Sequence, residues 1–173
     1  MKQKQRKTNK RRFGFTLIEL LVVLLILGVL TGLGVPRYME AQKYAKARTF
    51  AINVREIITA LEQYSAQRAL ASPSTPSYPS YPTNLADLSS MFTQAPINPY
   101  TGTNMLTSTA SSAGITYTAS NGVWTIEITQ ENVDGLNGKP ANAKLYEVVP
   151  ELFGGISSDG KFTSTPTTGG SSG

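Results

Sequence analysis

RFGFTLIELL, residues 12–21, decides how this chain is read. Seven bases (Lys2, Lys4, Arg6, Lys7, Lys10, Arg11 and Arg12) precede Gly14, with no acid among them. From Phe15 to Val35 the residues are almost wholly apolar, and the one charge is Glu19. As an α-helix this stretch would rise about 31 Å, close to the roughly 30 Å hydrocarbon core of a bilayer. The basic flank favours an N-terminus kept in the cytoplasm, although Arg37, Lys43, Lys46 and Arg48 make the far flank basic as well. An acid near the centre of a membrane helix costs about 2.5–3.5 kcal/mol, and less toward the interface. A plain anchor gains nothing from that cost. A protonated amine on a second chain would be a suitable partner for the carboxylate and would fix one axial offset between neighbours. A cleaved secretory signal fits less well, because it needs a shorter apolar region and a small-x-small cut site. Here the run ends in Gly34-Val35-Pro36-Arg37-Tyr38.

The bulk composition narrows the function classes. The formal charge is +5, but seven of the sixteen Lys/Arg lie in the leader, so Phe15 onward holds nine bases against eleven acids. A body with net charge −2 does not call for nucleic acid as a partner. The absence of cysteine removes disulfides, thiolate metal sites and lipoprotein anchors. The absence of histidine removes the usual general base, so no enzyme activity is expected.

Gly14-Phe15-Thr16-Leu17-Ile18-Glu19 resembles the prepilin processing motif of type IV pilins and type II secretion pseudopilins. The resemblance implies cleavage between Gly14 and Phe15 by a membrane prepilin peptidase, followed by N-methylation of Phe15. It also implies that Glu19, the fifth mature residue, neutralises the N-terminal amine of a neighbouring subunit. Pro36 falls where many type IV pilins have proline. Gly28, Gly32 and Gly34 just before it weaken a helix by about 1 kcal/mol each, so the resemblance reads this stretch as one that loosens in the filament. The implied product is a homo-oligomeric helical filament, assembled with other pilins or pseudopilins, a platform protein and an ATPase at a bacterial or archaeal cell membrane. The mature subunit would end in an extracellular pilus or a periplasmic pseudopilus. A competence-type minor pilin is a further alternative, but Lys139, Lys144 and Lys161 are too sparse to predict DNA contact.

Beyond Pro36, Phe50, Val54, Ile57, Leu61 and Tyr64 recur at spacings of four and three, one face of a helix continuing to about residue 71. The expected fold is α+β: a long N-terminal helix, half transmembrane and half amphipathic, packed on a small antiparallel sheet. The expected divisions are a cleaved leader 1–14, an assembly helix 15–36, an amphipathic half 37–71, a head 72–162 and a disordered tail 163–173. Ser72 to Pro82, with four prolines, should be a connecting loop. A short helix should open near Tyr81–Leu88, capped by Thr83 or Asn84. Ile115–Ala119 and Val123–Thr129 flank Asn121-Gly122 and predict a hairpin, with Trp124, Ile126 and Ile128 facing the helix. Lys144 to Val149 is a candidate third strand. Asn132, Asp134 and Asn137 could offer oxygens to calcium, although a simple Asp-Gly turn is the preferred reading there. Gly155 to Lys161 nearly copies a phosphate-binding loop but continues into Phe162, where Ser or Thr is needed.

Overall fold

A computed structural model describes residues 14–71 and 80–164. The leader before Gly14, most of the proline-rich loop and the tail from residue 165 lie outside the described residues. The chain divides into two compact units, one ending at Met39 and one beginning at Glu40. Both contribute to one helix, α1 (Leu17–Ala71).

In the first unit, α1 is long and apolar enough to cross a membrane by length and composition. Every large apolar side chain from Phe15 to Val35 is exposed. The helix passes unbroken through Gly28, Gly32, Gly34 and Pro36. Proline has no N–H, so the Gly32 carbonyl loses its regular helical donor there. One turn earlier the Thr31 hydroxyl donates to the Leu27 carbonyl at 2.7 Å, a back-bond that accompanies helix bending elsewhere.

The second unit is built on the stripe that the sequence marks. Phe50, Val54, Ile57 and Leu61 are fully buried, joined by Ala47, Ala51 and Ala60, while Tyr64 is half-buried at the end of the row. Small residues between large ones let the sheet approach the helix closely. Two strands, β1 (Ile115–Ser120) and β2 (Val123–Ile128), pair antiparallel, with Ser120 opposite Val123. Asn121 (φ 52°) and Gly122 (φ 73°) form the turn between them, both in the left-handed region that a tight hairpin requires. Trp124, Ile126 and Ile128 are buried and the alternate residues are not, as the period of two demands.

The third strand is elsewhere than expected. It is β3 (Lys161–Thr163), which pairs antiparallel with β2, so the order is β1-β2-β3. Residues 145–148 are instead a helical turn, which follows the short helix α2 (Ala110–Ala113) as α3 (Leu145–Val148). The cause lies in the spacing. Leu145, Val148 and Val149 are the buried residues, at intervals of three and four rather than two. The Glu147 carboxylate also accepts the Lys144 N–H at 3.2 Å, which starts a helical turn. Extended pairing is confined to one isolated bridge, Glu131 with Lys144.

The head also runs past its expected end at residue 162. Thr163 belongs to β3, and Ser164 is buried, its hydroxyl accepting the Trp124 N–H at 3.0 Å. Leu85–Met91 is a short 3-10 helix that opens after Asn84, whose side chain makes no capping bond.

Candidate processing and assembly site

The N-terminal end of α1 is organised by four residues. Gly14 is exposed with open space where a side chain would grow, and Phe15 is 76% exposed. Thr16 stands immediately before the first helical residue, and its hydroxyl accepts the Glu19 N–H at 3.3 Å. In return Glu19 Oε2 accepts the Thr16 N–H at 2.8 Å and the Thr16 hydroxyl at 2.7 Å. This is a reciprocal capping box: the first turn of a helix has N–H groups without carbonyl partners, and the two side chains satisfy them. A carboxylate there also meets the positive end of the helix dipole.

From the sequence alone, an amine on a second chain is a suitable partner for this carboxylate. The structure gives it two donors from its own chain, both on Oε2, and among the described residues Oε1 has no donor. The signal was present in the sequence as T-x-x-E ahead of an apolar run.

The calcium candidates are not gathered into a ligand set. Asn132 is buried; its amide donates to the carbonyls of Leu136 and Lys139, each at 3.2 Å, and its oxygen accepts the Leu136 N–H at 2.9 Å. Asp134 bonds Lys46 Nζ on α1 at 3.1 Å. Asn137 donates to the Val148 carbonyl at 3.2 Å. These side chains close a loop and tie it to α1 and α3. Among the described residues, no group of three or more His, Cys, Asp or Glu could hold a metal ion.

Two further polar clusters, the first buried and the second partly exposed, tie the second unit together. Asn98, fully buried, donates to the carbonyls of Ser112 (3.0 Å) and Ala113 (3.1 Å) and to Gln130 Oε1 (2.8 Å), and accepts the Tyr100 N–H (2.9 Å). Glu62 accepts the Trp124 indole N–H at 2.9 Å and the Tyr81 hydroxyl at 3.4 Å, joining α1 to β2. No sequence pattern announces either, because their partners come from distant segments.

Comparison with known proteins places the same segment in context. Residues 9–35 match the prokaryotic N-terminal methylation motif. The chain is 39% identical over 67 residues to type II secretion system core protein G of Pseudomonas aeruginosa, covering 39% of this chain and 46% of that one. It is 32% identical over 60 residues to the type IV major pilin protein PilA of Myxococcus xanthus, covering 35% of this chain and 27% of that one. The chain thus spans less than half the length of these curated relatives. No solved structure matches it.

Proposed function

We propose that this chain is a structural subunit of a type IV pilus or a related filament. It is cut between Gly14 and Phe15, methylated at the Phe15 amine, and polymerised through the apolar half of α1. The observation that carries this reading is the Thr16–Glu19 box at the head of a membrane-length run whose large apolar side chains are all exposed. Such a surface requires lipid before assembly and other copies after it. The Thr16 donors hold one carboxylate oxygen, which leaves Oε1 for the positively charged terminus of a neighbour. One subunit offset satisfies that pair, and others leave a charge in an apolar interior.

The partners under this reading are other pilins, a prepilin peptidase, a platform protein and an ATPase, at the cell membrane. A type II secretion pseudopilin is the second reading, favoured by the longer and more identical match to core protein G. Mass spectrometry of the protein from its native cells tests the processing: the expected terminus is N-methylated Phe15. A chain that keeps its leader overturns it. Whether the fibres lie outside the cell or within the envelope separates the two readings.

A further inference from the structure

Two asparagines of the chain precede glycine, Asn121 and Asn137, and both hold the left-handed backbone, at φ 52° and φ 56°. An Asn-Gly pair has a reaction of its own. The glycine N–H, unshielded by a side chain, loses its proton, and the nitrogen attacks the asparagine amide carbon. A new C–N bond closes a succinimide ring, the Cγ–Nδ2 bond breaks, and ammonia leaves with a proton from water. Water then opens the ring at one carbonyl or the other, which gives aspartate or isoaspartate. The amide and one water are consumed, and a carboxylate and ammonium are formed, with no change of oxidation state and no enzyme. What the fold controls is whether the two groups can meet.

Around Asn137 they are held. Its amide, the group that must leave, donates to the Val148 carbonyl of α3 at 3.2 Å. The Lys139 N–H closes over the pair onto the Leu136 carbonyl at 3.2 Å. The buried Asn132 bonds Leu136 in both directions and also the Lys139 carbonyl. Reaction at Asn137 requires these bonds to open together. Asn121 has no such support. It is exposed, and its side chain has no hydrogen-bond partner among the described residues. Strand β3 pairs only with Thr125 to Glu127, and Ser164 adds a bond to Trp124 but none to the turn. Strand β1 is an edge of the sheet, so the tip at 120–123 is braced on neither side. Such an end opens locally at small cost.

We propose that Asn121 is a site of spontaneous modification, converted to aspartate and isoaspartate through a succinimide with Gly122, and that Asn137 is protected by its loop. The isoaspartate form places one more backbone carbon between Ser120 and Val123. A two-residue turn has no slack for it, so the Ser120–Val123 pair that closes the hairpin is lost. The modification thus loosens the sheet from its tip as the chain ages. It stands apart from the filament reading.

The full-length chain is kept in detergent micelles, in alkaline buffer, in mildly acidic buffer and in alkaline urea. Cleavage after Glu127 and Glu131 puts the two asparagines on separate peptides. The Asn121 peptide should gain one mass unit several-fold faster than the Asn137 peptide, and faster in alkali, where the N–H is more readily lost. Labelling by isoaspartyl methyltransferase should follow that mass gain. In urea the two rates should converge, since the fold is what separates them. Asn121→Asp keeps a turn-forming Asp-Gly pair, so the aged chain should melt below fresh Asn121→Asp. An equal midpoint overturns the loss of the hairpin closure. Equal rates in the folded chain, a faster Asn137, or reaction in urea alone each overturn the assignment of Asn121.

Discussion

Under the proposed reading Glu19 caps its own helix through Oε2 and offers Oε1 to a neighbour, and substitutions test both roles. Glu19→Ala removes the capping acceptor together with the charge offered to a neighbour. Cleavage should proceed, while the sheared-filament fraction falls to background; filaments at the normal level would count against the role given to this carboxylate. Thr16→Val keeps the volume but loses the hydroxyl, and loss of an N-cap costs about 1 kcal/mol. Filament yield from that variant should fall between wild type and Glu19→Ala. Gly14→Ala should still be cut, since alanine is small, whereas Gly14→Glu, bulky and charged, should be retained at precursor mass. These residues were legible because their meaning is local: a basic run, a glycine, an acid at a set distance. Asn98 was not legible. Nothing near it reveals that its amide meets carbonyls at 112 and 113 and a side chain at 130.

At the scale of elements, the hairpin was readable from alternation and an Asn-Gly turn, and the helix from its four-and-three stripe. Residues 144–149 are ambiguous in the sequence because a short apolar run looks alike in strand and helix, and the Glu147 bond and the burial of both Leu145 and Val148 decide between them. The true third strand, Lys161–Thr163, is too short to show a period of two and is fixed by pairing with β2. Gly114 sets how closely these elements meet. Its φ is +76°, and a Cβ there would lie 2.7 Å from Gln130 Oε1 and 2.9 Å from both Asn98 Nδ2 and a Phe50 ring carbon. Gly114→Ala should therefore destabilise the folded chain by about 1–3 kcal/mol through backbone strain and displacement of the buried amides. Thermal unfolding followed by far-UV circular dichroism measures it. An unchanged midpoint would mean that the cluster can yield.

For the molecule as a whole, alkaline pH probes the head. Burial pushes the Tyr100 hydroxyl above its ordinary value, with Asp134 adding to the effect, and burial likewise raises Tyr117. The unfolded chain ionises these phenols near pH 10, while the folded chain holds their protons to higher pH. Above about pH 10 the folded state therefore binds more protons than the unfolded one, and its stability should fall as pH rises. Denaturant melts at pH 8 and pH 11 check the sign, and Tyr117→Phe should flatten the slope. The apolar half of α1 behaves differently. Its large apolar side chains from Phe15 to Val35 are exposed, and no tyrosine lies among them.

Trp124 is the chain's one tryptophan, and its indole lies where β2 meets α1, with its N–H on Glu62. The protein thus carries its own optical gauge at that joint. A dry, hydrogen-bonded indole emits toward the blue, and separation of sheet from helix would let water in and redden it. Fluorescence of the unlabelled chain can therefore report any opening of that seam.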